Sequence, residues 1–140
     1  MKNIINLMVF AMMALFTQVA AANLNHVSQD MYGLWQVERP LSDNPFVYST
    51  GEVNFTEDSM TFSVTCSYAR GPELKVQVSS PLVYRHRYFT ILASQHGVTR
   101  SGNANCVADI SAGPIEYVFR GDDRLVIFNR HTGFRMDLVR

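Results

Sequence analysis

Apolar and polar residues alternate along most of the sequence after residue 32, and this period of two predicts short β-strands. The clearest example is Met60–Tyr68, in which Phe62, Val64 and Cys66 occupy one face and hydroxyl-bearing residues occupy the other. The next alternating segment is Leu74–Val78. The same pattern predicts further strands at Leu34–Arg39, Gly51–Thr56, Val83–Ala93, Cys106–Ile110, Tyr117–Phe119, Leu125–Phe128 and Phe134–Leu138.

Turn residues separate these segments at intervals near ten residues, which gives eight or nine strands. Many short strands with regular turns are typical of β-sandwiches and β-barrels, and short connections join antiparallel neighbours. We therefore predict an all-β antiparallel fold with one domain. The segment Ser94–Asn105 contains Gly97 and Gly102 and is predicted to be a loop.

The first 22 residues have the pattern of a cleaved signal peptide. A short basic start precedes an uncharged apolar stretch, and small residues precede a cleavage point after Ala22. A membrane anchor is the alternative, but it needs about 20 apolar residues, and Asn6, Thr17 and Gln18 shorten this stretch. We expect residues 23–140 to form the mature domain, secreted or periplasmic.

The two cysteines, Cys66 and Cys106, both lie in the part of the chain that is predicted to be exported. Exported proteins meet an oxidising compartment, so a Cys66–Cys106 disulfide is predicted. Two free buried thiols are the alternative. Because each cysteine shares a face with apolar neighbours, the disulfide would bring their two strands together across or beside the core.

The charge of the predicted mature domain is almost balanced, since removal of Lys2 leaves 11 basic and 12 acidic side chains. This balance gives no electrostatic footprint for a nucleic acid or for an anionic membrane surface. Nucleic acid is therefore not an expected partner, and no membrane insertion is expected after the signal peptide is cleaved.

The start of the first predicted strand, Gly33-Leu34-Trp35, resembles the Gly-x-Trp entry of lipocalin-like barrels of the calycin group. In those barrels the Trp closes one end, and a basic residue near the end of the last strand often packs over it. The resemblance implies that Trp35 has this role and that Arg140 or Arg135 covers it. It also implies a single antiparallel barrel of eight or nine strands with one disulfide.

The C-terminal half resembles a second family, the small exported META domains. In that family a Cys precedes an acidic residue and a Tyr, a Gly-Asp-x-Leu-type hairpin follows, and the last strand ends near an Arg. The corresponding residues here are Cys106, Glu116, Tyr117, Gly121-Asp122-Asp123-Arg124-Leu125 and Arg140. The two families differ in strand connectivity, so at most one of the resemblances holds.

The predicted strand Val83–Ala93 carries a candidate binding patch, because Tyr84, His86 and Tyr88 would share one of its faces. Such a patch would contact an anionic ligand or a partner. The alternative is a ladder of cations and aromatic rings on a solvated face, which cross-strand packing explains without a ligand.

The sequence has no recognisable catalytic constellation, and an enzyme is not predicted. The acid pairs Glu57-Asp58 and Asp122-Asp123 stand in predicted turns, where Asp caps the local backbone. No two histidines stand four apart on a helix or two apart on a strand, so no metal site is predicted. No cofactor is expected.

The remaining function classes are binding proteins. We expect a non-enzymatic module that contacts a protein through its open end or loops, as the lipocalin-like protease inhibitors do. The polar segment Asn23–Tyr32 would then be an inserting arm. The alternative is a carrier of a small apolar ligand, because the interior of an eight-stranded barrel either is filled by side chains or holds one small ligand.

Overall fold

The computed structural model describes residues 30–140, which form ten β-strands and no helix. The predicted signal peptide and residues 23–29 of the predicted arm lie outside this part of the chain. No helix among the described residues is long and apolar enough to cross a membrane. The strands are β1 Gly33–Val37, β2 Val47–Phe55, β3 Ser59–Tyr68, β4 Glu73–Tyr84, β5 Tyr88–Ile91, β6 Gln95–Ser101, β7 Ala104–Ile110, β8 Gly113–Phe119, β9 Arg124–Asn129 and β10 Phe134–Val139.

Eight of the ten strands close a barrel in the order β1-β2-β3-β4-β5-β8-β9-β10, and β10 pairs with β1. Every pairing in the ring is antiparallel. The strands β6 and β7 form a separate hairpin. The predicted all-β antiparallel barrel is therefore confirmed, and the number of strands in it is eight.

The two ends of the barrel differ in how the chain covers them. At one end, called here the closed end, tight turns join β2 to β3, β4 to β5 and β8 to β9. At the other, the open end, lie the β1–β2 loop, the β3–β4 turn, the β9–β10 turn and the β6–β7 hairpin. This hairpin leaves and rejoins the ring between β5 and β8, where Ile91 pairs with Gly113.

The β6–β7 hairpin packs against β3 and β4 and is bonded to them at several points. The predicted disulfide is present between Cys66 of β3 and Cys106 of β7, with a Cα–Cα distance of 5.7 Å. The Thr99 hydroxyl also donates a hydrogen bond of 2.8 Å to the carbonyl oxygen of Lys75. These contacts hold the hairpin as a second layer over the inward face of the β3–β4 pair.

Gly97 sets the distance between the β6–β7 hairpin and β4. A Cβ atom added at Gly97 would lie 2.7 Å from Val78 Cγ1 and 2.9 Å from Val76 Cγ2. Both contacts are shorter than packed carbon atoms allow, and a valine side chain is too short and stiff to move aside without a change in rotamer. The two layers therefore approach each other so closely that only a glycine fits.

We expect Gly97→Ala to lower the free energy of unfolding by about 1–3 kcal/mol, the usual cost of overpacking. Urea denaturation measures this change. Gly102→Asn is the control in the same hairpin, because nothing lies within 4 Å of Gly102 and its φ of +58° suits asparagine. A loss as small for Gly97→Ala as for the control would contradict the close packing of the two layers.

The predicted loop Ser94–Asn105 is wrong, because most of it is β6 and its turn into β7. The inward side of β6 is occupied by Gly97 and Thr99, neither of which registers as an apolar residue in a pattern search. The prediction failed because Gly97 occupies an inward position of β6 at which the other strands carry a buried apolar side chain.

The predicted single strand Val83–Ala93 is also wrong, because β4 ends at Tyr84 and β5 begins at Tyr88. A tight turn separates them, and in it the Arg85 N–H donates a 2.8 Å hydrogen bond to the carbonyl oxygen of Tyr88. The turn contains no Gly, Pro, Asn or Asp, so the usual turn signals are missing.

Candidate functional site

Trp35 lies at the closed end and is fully buried, with 0% of its surface exposed. Its indole Nε1–H donates a 2.8 Å hydrogen bond to the carbonyl oxygen of Met31. The guanidinium carbon of Arg140 lies 4.1 Å from the ring centroid, and its Nη2 donates to the carbonyl oxygen of Tyr32. The structure thus places Arg140 over Trp35, whereas Arg135 forms an ion pair with Asp137 on the outer face.

The backbone conformation explains why the Gly-x-Trp entry begins with a glycine. Gly33 adopts a φ of +106°, which L side chains rarely adopt, and the side chain of Arg140 lies 4.0 Å from the position of a Cβ. The chain enters β1 through this conformation, so that Trp35 points into the barrel while Arg140 covers it.

Aromatic rings fill the closed half of the barrel interior. Phe89 stands in the middle, with ring centroids of Phe55 at 5.5 Å, Tyr84 at 6.2 Å and Tyr117 at 6.4 Å. Phe119 continues the cluster from Tyr117 to Trp35. These separations are typical of favourable aromatic pairs. These rings therefore form a continuous aromatic core from Phe55 to Trp35.

The residues of the predicted binding patch do not lie together, because the β4–β5 turn reverses the chain between Tyr84 and Tyr88. Tyr84 points inward beside Phe89, His86 lies exposed in the turn, and Tyr88 lies on the outer face of β5 and is 40% exposed. Tyr84, His86 and Tyr88 therefore do not share one surface, and the single-face arrangement that was predicted for them is wrong.

Tyr84 instead closes the interior near the β2–β3 turn. Its hydroxyl donates a 2.8 Å hydrogen bond to the carbonyl oxygen of Thr56, and its ring packs against Tyr32. Burial raises the pKa of the Tyr84 phenol far above its usual value, and the nearby Tyr32, Tyr117 and Asp58 raise it further. The native fold therefore holds this phenol in its protonated form.

A pH dependence follows from the raised pKa of Tyr84. The unfolded chain loses this phenolic proton near pH 10 and the native state does not, so stability falls as the pH rises above that value. We expect Tyr84→Phe to lose about 1 kcal/mol at pH 7 and to show a shallower alkaline decline. Urea denaturation between pH 7 and 11 measures both effects.

Tyr88→Phe controls for the loss of a hydroxyl on the outer face of the barrel. Equal alkaline slopes for the wild type and for Tyr84→Phe would show that the Tyr84 phenol does not contribute to the pH dependence.

A cavity of about 490 Å³ extends into the barrel from the open end. It reaches Phe89 of the aromatic cluster, and its walls come from six barrel strands and from the segment that ends β7. The residues that line the walls and floor are mainly apolar: Val53, Met60, Phe62, Phe89, Ile91, Ile110, Ile115, Ile127 and Met136.

Polar groups are confined to the rim of this cavity. Asp109 and Ser111 stand on one side, at the junction of β7 and β8, and Asn129 and Thr132 stand on the other, at the β9–β10 turn. The Asn129 side-chain amide donates to the carbonyl oxygen of Pro114 at 3.0 Å, so it bonds one side of the rim to the other. His96 Nδ1 contacts Asp109 Oδ1 at 2.5 Å.

No local pattern of residues predicts the cavity. Some wall residues, such as Val53, Phe62 and Met136, stand on predicted apolar strand faces, but the same alternation also describes strand positions that do not line the cavity. Among the described residues, no three His, Cys, Asp or Glu side chains are grouped so that they could hold a metal ion. The cavity is the concave site with apolar walls and a few convergent polar groups that is typical of small-molecule binding.

The fold defines a general class, the closed eight-stranded antiparallel barrel, and it is consistent with a lipocalin-like fold. No protein-family model matches the chain, and neither the curated proteins nor the solved structures that we searched contain a significant match.

Proposed function

We propose that this protein binds a small, mainly apolar molecule in the open-end cavity. The observation that carries the proposal is a cavity of about 490 Å³ with mainly apolar walls, which lies beside the aromatic cluster around Phe89. This volume lies within the range of about 300–1,000 Å³ that is typical of small-molecule sites. A barrel that served only as a scaffold would gain stability from filling this space.

The architecture of the walls supports the proposal. Most wall residues stand on strands of a closed barrel, so their positions are fixed by the hydrogen-bonded ladder. On the remaining side, the Cys66–Cys106 disulfide holds the β6–β7 hairpin against β3. Such a preformed site loses little conformational entropy when a ligand binds.

We further propose that the barrel belongs to the calycin type rather than to the META type. Apart from the β6–β7 hairpin, each strand of the ring pairs with the next strand in the sequence, as in up-and-down barrels such as the lipocalins. The contact of Arg140 with Trp35 supports the same assignment. A crystal structure that gave a different strand order would refute it.

The proposed compartment is extracellular or periplasmic. The Cys66–Cys106 disulfide is compatible with an oxidising compartment, because disulfides are rare in the reducing cytosol. N-terminal sequencing of the protein purified from its own host tests the proposed signal peptide, and an intact Met1 would overturn it.

Fluorescence titration with N-phenyl-1-naphthylamine, a neutral apolar probe, tests the proposed cavity. We expect saturable binding of one probe molecule, and at least tenfold weaker binding by Met136→Trp, whose larger side chain would occupy the cavity. Phe128→Trp is the matched control, because Phe128 lies on the outer face of the neighbouring strand. Its affinity should equal that of the wild type.

Native mass spectrometry of protein purified from its own host gives an independent test, since a resident ligand adds a fixed mass. The absence of saturable probe binding, together with a clean apo mass from several preparations, would refute the proposed function.

A protein partner is the second proposal, and exposed aromatic side chains at the open end favour it. Phe46, in the β1–β2 loop, is 71% exposed and borders a surface groove with Tyr68 at the end of β3 and Arg70 in the β3–β4 turn. Exposed aromatic and Arg side chains are frequent anchors in protein interfaces. Residues 23–29 of the predicted arm lie outside the described part of the chain.

The second proposal is tested by pull-down from the native compartment with Phe46→Ser as bait. Leu34→Ser is the matched control, since Leu34 is 54% exposed but lies near the closed end. A partner retained by the control and lost by Phe46→Ser would support the proposal, and equal recovery with both variants would refute it.

A further inference from the structure

We infer that the ligand of the open-end cavity is an amphiphile with one apolar chain and a cationic headgroup, such as a primary ammonium group. This inference rests on the proposed function and specifies its ligand class. It is carried by the charge distribution at the rim of the cavity, where Asp109 is the one acidic side chain among residues 30–140 that lines it.

The rim contains hydrogen-bonding groups but no fixed positive charge. Within residues 30–140, no Lys or Arg side chain lines the cavity. Sites for carboxylates and phosphates normally provide such a cation, because an anion that leaves water needs an opposite charge or several donors. A fatty acid would therefore place its carboxylate beside Asp109 without a compensating partner.

The two arginine side chains nearest in sequence to the rim form ion pairs on the outer surface of the barrel. Arg130, in the β9–β10 turn, forms a 3.2 Å ion pair with Glu116 and stacks on the Phe128 ring at 5.6 Å. Arg135 pairs with Asp137 at 2.8 Å. Both partners stand on outward strand faces, so neither guanidinium is available to a headgroup in the cavity.

His96 does not give the rim of the cavity a net positive charge. The His96–Asp109 pair carries a net charge of −1 when the imidazole is neutral and zero when it is protonated, so it is not positive while Asp109 is ionised. An ionised carboxylate has about four acceptor sites, and Asp109 Oδ1 is the oxygen that contacts His96. An ammonium group can therefore bind the same carboxylate alongside the imidazole.

Asp109 stands where the apolar wall meets the solvent-exposed rim, and its side chain is 62% exposed. Ile110 follows it in β7, and its buried side chain lines the cavity from the opposite face of the strand. A ligand whose chain lies among the aliphatic walls would thus place its headgroup at Asp109. A hydrogen bond between an ammonium group and a carboxylate is about twice as strong as a neutral one, so it would both orient the ligand and select it.

Competition against N-phenyl-1-naphthylamine with three ligands of equal chain length tests the inference: decylammonium, decanol and decanoate. We expect decylammonium to displace the probe at least tenfold more effectively than decanoate, with decanol between them. The preference should weaken as salt is added, because the rim is exposed to solvent.

Variants at the rim distinguish an effect of charge on ligand binding from an effect on the structure of the cavity. Asp109→Asn should weaken decylammonium binding about tenfold and leave decanol unchanged, and Ser111→Lys should reverse the preference towards decanoate. Asp122→Asn, which removes an exposed carboxylate in the β8–β9 turn at the closed end, should behave as the wild type. Unchanged decanol binding also shows that each variant is folded.

The outcomes distinguish this inference from the function on which it rests. Equal displacement by the three ligands, or a preference for decanoate, would overturn the cationic ligand and leave the apolar cavity standing. An Asp109→Asn variant that kept the full preference for decylammonium would do the same. Failure of the probe itself to bind the wild type would refute the proposed function.

Discussion

Replacing Trp35 with alanine is expected to lower the free energy of unfolding by about 4 kcal/mol or more, the largest loss for any single substitution considered. Truncating a buried Trp to alanine costs about 3–5 kcal/mol through lost transfer free energy and the cavity left behind. Here the substitution also leaves the Met31 carbonyl oxygen without its indole donor and removes the ring beneath Arg140. Native domains are stable by about 5–15 kcal/mol, so the variant should be close to unfolding at 37 °C.

Urea denaturation monitored by far-ultraviolet circular dichroism measures the effect of Trp35→Ala. Leu34→Ala, at the exposed neighbouring position, should change stability by less than about 0.5 kcal/mol. Arg140→Met should cost about 1–2 kcal/mol, since it removes the cation above the ring and the hydrogen bond to Tyr32. A loss below about 2 kcal/mol for Trp35→Ala would show that the closed end does not depend on this side chain.

The double variant Cys66→Ala/Cys106→Ala is expected to lose about 4 kcal/mol. The two cysteines are 40 residues apart in the sequence, and in the chain-entropy model a crosslink of that length stabilises by about this amount. The β6–β7 hairpin is not paired to the barrel by a strand ladder, so the loss of the disulfide should also loosen it locally.

Urea denaturation and native-state hydrogen exchange measure these two effects separately. We expect the amides of β6 and β7 to exchange faster than those of β8 and β9 in the double variant. The reduced wild-type protein provides the matched comparison, and it should lose a similar amount of stability. Uniform protection across β6–β9, with less than 1 kcal/mol lost, would show that packing alone holds the hairpin.

The long strands were predictable because their alternation is strict. Met60–Tyr68 corresponds to β3, and Leu74–Val78 lies within β4, since every second residue there is apolar and faces the interior. The pairing of Cys66 with Cys106 followed from the predicted compartment and from the presence of only two cysteines. The strands follow from a local alternation, and the disulfide follows because two cysteines allow only one pairing. Both can be predicted from a single sequence.

The β4–β5 turn was not predictable, because an apolar-polar alternation does not record a reversal of the chain. Tyr84 and Phe89 pair across the turn and both face inward, although they stand an odd number of positions apart. The inward set therefore changes from even to odd residue numbers at Arg85–Arg87. The predicted patch of Tyr84, His86 and Tyr88 depended on an unbroken strand, so it failed at the same point.

The cavity was not predictable for a different reason. Ile127 and Met136 face inward as regularly as Leu125 and Leu138, yet the first pair lines empty space and the second is fully packed. The difference depends on which side chains meet from across the barrel. Around Leu125 and Leu138 these include the aromatic rings of the closed end, and around the cavity they include the end of β7, where Asp109 and Ile110 line the space.

The pairing of Ile91 with Gly113 has a consequence for how such a protein can evolve. The chain leaves the ring and returns to it at adjacent backbone positions, so residues 92–112 are an insertion in a barrel whose ladder is complete without them. Substitutions, extensions or exchanges in this insertion would alter one wall and the rim without shifting the register of any ring strand. Ligand preference and barrel architecture can therefore diverge at different rates, and related chains could share one ring while recognising chemically unrelated molecules.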